Sequence, residues 1–98
     1  MTALSASIGN ARTATLDAIT EHTLAGRDTI HLTTAATFAD TAVAMLDRGN
    51  EDGARAAVVR IGRYLSAAGA AGAFGDPTAS SCRGLAAVWR RVLLANPR

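Results

Sequence analysis

Two histidines, one cysteine and eight carboxylates are the side chains of this 98-residue chain that could carry acid–base, nucleophilic or metal chemistry. Their spacing assembles none of it. A zinc site needs three or four ligands at close spacing, and His22, His31 and Cys82 offer no such set. Cys82 falls on the apolar stripe of a helical segment, so the thiol is expected to be buried and inert, a small hydrophobe rather than a nucleophile. Asp17 and Glu21 stand four residues apart, on one face of a helix, but like charges there suit a solvated surface better than proton transfer. Both histidines read as surface or boundary residues. Gly69, Gly72 and Gly75 match neither the dinucleotide fingerprint nor a phosphate-binding loop, and no strand precedes them. No catalytic, cofactor or metal site is expected, and the chain is read as a non-enzyme.

One short pattern points elsewhere. His22-Thr23-Leu24-Ala25-Gly26 resembles the His-x-Leu-Lys-Gly core of histidine phosphotransfer domains. The resemblance covers five residues, with Ala25 in place of the family's lysine. It implies a four-helix bundle in which an exposed His22 accepts a phosphoryl group and Arg27, the only nearby cation, stabilises it.

The cations are the other candidates. All ten basic residues are Arg, and with 23 Ala and 11 Thr this points to a GC-rich coding sequence of bacterial or phage origin. Residues 1–52 hold three Arg against seven acids, a net charge of −4, whereas residues 53–98 hold seven Arg against Asp76 alone, a net +6. Such a split suits self-association, packing of one half on the other, or a basic face for an anionic partner. Arg55, Arg60, Arg63, Arg83, Arg90 and Arg91 are therefore the candidate set for a nucleic-acid-binding alternative. No helix-turn-helix spacing or aromatic stacking pair accompanies them.

The elements that must position these side chains are helical. The length allows one domain over residues 1–98. Leu4, Ile8 and Leu16 lie on a weak stripe that predicts a first helix from about Thr2 to Leu24, ended by Gly26. A second runs from about Asp28 to Arg48. Its start, Thr29–Thr34, alternates as a strand would, but no other stretch reads as β, so helix is preferred. Gly49 suits a helix end, Asn50 an N-cap, and Glu51 and Asp52 the first turn of a third helix. So tight a reversal demands an antiparallel αα-hairpin. An Ala/Gly-rich connection at about 67–76 follows, and Asp76-Pro77 opens a fourth helix that Asn96-Pro97 ends. The fold class is all-α, a small antiparallel bundle of about four helices.

Only 24 of the 48 residues counted as hydrophobic are large, the rest being 23 Ala and Cys82. A chain with so little large apolar area gains stability by sharing a face with another chain. The expected function is that of a small helical interaction protein acting through protein–protein contacts and self-associating as a homo-oligomer. Leu85, Trp89, Arg90, Arg91, Val92 and Leu93 are its expected partner-binding residues, because the fourth helix shows apolar residues on more than one side and Trp and Arg favour interface anchors. No run of apolar residues is long enough for a membrane span. The N-terminal Met1–Ser5 lacks the features of a signal peptide, and a lone Cys suits a reducing cytosol, so a cytoplasmic location is expected.

Overall fold

The computed structural model describes residues 2–98, which form α1 (Ala3–Leu24), α2 (Ile30–Asp47), α3 (Glu51–Ala71) and α4 (Pro77–Ala95). Local chemistry sets the boundaries. The N-terminal amides of a helix have no partner within it, and short polar side chains supply one. Thr2 accepts from the Ser5 N–H, Asn50 from the Gly53 N–H at 2.9 Å, and Asp76 from the Thr78 N–H at 3.0 Å. At the start of α2, Asp28 accepts from the Ile30 N–H at 3.0 Å. Residues 30–34 are thus helical, as preferred from the sequence. Two helices end in the same way. Gly26 and Gly49 adopt φ of +73° and +78°, and the amides that follow fold back: Arg27 N–H to the His22 carbonyl, Asn50 N–H to the Met45 carbonyl. A side chain would resist that left-handed turn.

Each helix packs on two neighbours: α1 on α2 and α4, α3 on α2 and α4. This is an antiparallel four-helix bundle with α1 diagonal to α3. Its radius of gyration, 13.1 Å, is that of a close-packed chain of this length. The core takes Leu4 and Ile8 from α1, Leu32 with Ala35, Ala39 and Ala42 from α2, Val58, Ile61 and Leu65 from α3, and Cys82, Leu85, Trp89 and Val92 from α4. Trp89 is its largest fully buried side chain. The indole N–H donates to the Thr15 hydroxyl at 3.0 Å, and that hydroxyl donates to the Ala11 carbonyl at 2.9 Å. The threonines that weaken the helical signal of α1 and α2 are accommodated similarly. Thr13, Thr20, Thr34, Thr37 and Thr41 each donate to the carbonyl four residues back.

The α3–α4 connection is shorter than expected. α3 continues through Ala71, leaving Gly72–Asp76 as the link rather than 67–76. Alanine favours helix, and Gly69, which its sequence neighbours make look like a loop residue, is buried against α4. Among the described residues, no helix is long and apolar enough to cross a membrane.

Candidate interaction site between the third and fourth helices

The pairing of α3 with α4 depends on missing side chains. A Cβ added to Gly69 would lie 2.4 Å from Cγ of Arg83 and 3.2 Å from the Ala79 carbonyl oxygen. One added to Gly72 would lie 2.3 Å from Cβ of Ala79. At Gly62 there is room: the nearest atom, the Ala86 carbonyl oxygen, is 4.0 Å away. The helices are thus in backbone contact near the start of α4 and leave space beside Gly62.

That space is part of an open groove of about 570 Å³ on the outside of the helix pair. Val58, Gly62 and Trp89 meet it from the core side, and Val59, Ser66, Ala67, Ala70, Leu93 and Leu94 flank it. Leu94 is 73% exposed, although it is a large apolar side chain, and Val59 is exposed beside it. Arg63 from α3 and Arg90 from α4 complete the lining. Both are solvent-exposed, and neither is in an ion pair among the described residues. Arg60 and Arg63 extend the basic character onto a shallow depression beside Tyr64. The result is an apolar trough with cationic edges.

Comparison with known proteins finds no matching family model, no matching curated protein and no matching solved structure.

The structure separates the six arginines of the nucleic-acid set. Arg55 is half-buried and donates to the Asn96 carbonyl at 2.6 Å and to Glu51 at 3.3 Å. Arg83 donates to the Gly69 carbonyl at 2.7 Å. Each satisfies a carbonyl at a helix C-terminus that has no partner within its helix. Arg98 pairs with Asp52. Arg60, Arg63, Arg90 and Arg91 alone of the set remain exposed without a side-chain or carbonyl partner among the described residues. Three of the seven arginines of residues 53–98, Arg55, Arg83 and Arg98, are thus engaged within the chain.

The partner-binding set also divides. Arg90, Arg91 and Leu93 reach the surface or the groove, but Leu85, Trp89 and Val92 are buried. Trp89 does not stand on the surface as an anchor. α1 covers it, and Thr15 takes its only polar group. The apolar excess lies instead at Leu93 and Leu94, together with an α3 wall the sequence reading missed. Its signal was present: Val59 follows the core residue Val58, and Gly62, Ser66 and Ala70 recur every four residues, a stripe of small residues along α3.

His22 is buried, against the expectation of a surface or boundary residue, and it sits in the last turn of α1. Arg27 lies 3.1 Å from Nδ1 and Ser81 Oγ lies 2.7 Å from Nε2. Guanidinium can only donate, so Nδ1 accepts and the ring's proton sits on Nε2, donated to Ser81. Both nitrogens are occupied, and the exposed imidazole that phosphotransfer needs is absent at His22. The same tautomer cannot take a proton from Ser81, so the pair lacks the arrangement of an activated nucleophile. His31 is exposed and bonds to the Tyr64 hydroxyl at 2.8 Å. Cys82 is buried, as expected. Burial foremost, then the nearby Asp76 carboxylate, raise its pKa, with Arg83 opposing. The described residues contain no cluster of three metal-ligating side chains.

Proposed function

We propose that the protein is a small, non-enzymatic helical interaction module whose α3/α4 groove receives a helix from a partner. The single observation that carries this reading is the groove itself: exposed Val59 and Leu94 beside half-buried Leu93, in a trough whose small walls, Gly62, Ser66, Ala67 and Ala70, allow a backbone to come close. Helix-in-groove docking uses this chemistry, with apolar anchors on one helical stripe entering a preformed trough. Arg63 and Arg90 at its edges favour a partner helix flanked by acids. A phosphate backbone would find exposed cations but also a strip of apolar surface, and the one aromatic side chain of the groove, Trp89, is buried and offers no free face to stack on, so the groove suits a protein better than a nucleic acid.

A synthetic amphipathic helix with leucines at three- and four-residue spacing and glutamates on its flanks should change the fluorescence of Trp89 on titration. A scrambled peptide of the same composition should not. Arg63→Glu/Arg90→Glu should weaken the acidic peptide by at least about tenfold and favour a lysine-flanked one. Absence of binding by the glutamate-flanked peptide at about 1 mM, where association is worth only about 4 kcal/mol, would remove the reading.

A further inference from the structure

We propose that the occupant of the groove is α1 of a second copy of this chain, seated by Leu16 and Leu24 with Asp17 and Glu21 beside Arg63 and Arg90. The inference rests on the groove being a helix-docking site and names its partner.

α1 has the complementary face. Thr13, Leu16, Asp17, Thr20, Glu21 and Leu24 recur at helical spacing, and all are exposed. Leu24 is 84% exposed, and Leu16, expected on the same stripe as Leu4 and Ile8, is 37% exposed, because the core takes Ala11 and Thr15 at that register instead. The acidic character of this face is not cancelled within the chain. Arg12, the one cation on α1, is held by Asp40 of α2 at 2.6 Å, while Asp17 and Glu21 enter no ion pair among the described residues. Ion pairing inside the bundle therefore stays within each pair of helices and their adjoining ends: Arg12 with Asp40, Arg55 with Glu51, Arg98 with Asp52. Acidic α1 and the basic trough are both left with unpaired charge.

The dimensions agree. Leu16 and Leu24 are eight residues apart, about 12 Å along a helix, and the trough's α3 wall from Val59 to Ala70 runs about 16 Å. Two leucines fit within it, with a carboxylate following each turn. Small residues on α3 and threonines on α1 would let the backbones approach closely.

Geometry then determines the kind of assembly. α1 lies diagonally across the bundle from α3, so the offered helix and the groove face away from each other. One copy cannot satisfy its own groove, and two copies joined by this contact still leave one groove and one α1 free. The contact is head-to-tail rather than two-fold, and it extends into a ring or an open chain.

Two exposed sets of changes test this. Asp17→Arg/Glu21→Arg spoils the offered face, and Ser66→Trp fills the groove. In sedimentation velocity, wild type should grow in mass with concentration beyond a dimer, and less so as salt is added. Each variant alone should remain monomeric, with association weakened at least about tenfold. An equimolar mixture should form a 1:1 pair and stop, because an intact groove and an intact α1 are then available once. That recovery also shows both variants to be folded. The proposal is overturned if wild type stays monomeric up to about 500 µM. It is also overturned if either variant associates like wild type, or if the mixture forms no pair. Binding of the acidic peptide by a chain that stays monomeric would leave the groove a docking site and remove α1 as its occupant.

Discussion

α4 meets its two neighbours by opposite means. Against α1 the seam is filled by the largest side chain of the molecule: Trp89, fully buried, with its N–H taken by Thr15. Against α3 the seam is narrow where Gly69 and Gly72 leave room for the backbone of α4, and it widens beside Gly62. The first seam is closed, and its polar groups are satisfied across it, the Trp89 indole by Thr15 and the His22 ring by Ser81; no buried side-chain nitrogen or oxygen among the described residues lacks a hydrogen bond. The second is closed at one end and open at the other, and the apolar residues left over at the open end form the groove. Dense packing and an open groove can share one helix when its neighbours approach it differently. Ala-rich helices make this easy, because alanine permits close approach while covering little area.

The largest blow to the comparison falls on the filled seam. Trp89→Ala should destabilise the fold by about 3–5 kcal/mol, the range for deleting a buried aromatic side chain, as read by urea unfolding. A loss below about 1 kcal/mol would mean that the indole is not the centre of the core. The narrow seam gives a smaller effect whose sign is diagnostic. Gly69→Ala should cost about 1–3 kcal/mol, because the new methyl meets Arg83 and the Ala79 carbonyl. Gly84→Ala, on the same helix pair with nothing within 4 Å, should stabilise by about 0.5–1 kcal/mol. Equal effects at the two sites would show that backbone contact does not hold α3 to α4.

The smallest effect concerns Cys82, buried near the narrow end. Its thiol should resist a maleimide in the native state and react quickly in denaturant. Burial raises the pKa above the ordinary 9.0, so the folded state keeps the proton that the unfolded chain releases. The contribution to stability is full below pH 9 and declines as pH rises through the folded value. Cys82→Ala should remove that component of the alkaline decline. Fast native labelling would place the thiol on an open surface and contradict the closed packing at this end.

How much of this was legible depends on whether a feature is local. Most helix ends were: Asn50 and Asp76 cap as their positions suggest, and Gly26 and Gly49 terminate helices as expected, because each involves residues only a few positions apart, whereas the end of α3 at Ala71 was not. The inward placing of Cys82 on α4 was legible from the same local periodicity, whereas the burial of Leu85, Trp89 and Val92 was not. The site was less so. Leu93 and Arg90 were named from α4 alone, but Val59 and the small residues of α3 gain meaning only when α4 lies beside them. His22 looked like a surface residue because nothing nearby in sequence announces Ser81, which covers Nε2 from another helix.

The sequence by itself determined four helices, their antiparallel order and an uneven distribution of charge, since hydrogen bonds within a helix, turn stereochemistry and charge counts follow from neighbours along the chain. Only the tertiary structure decided which large side chain is core and which is surface. Periodicity marks the apolar sides of α4, but burial depends on the distance to the next helix, and that distance is set by Trp89 on one flank and by glycines on the other.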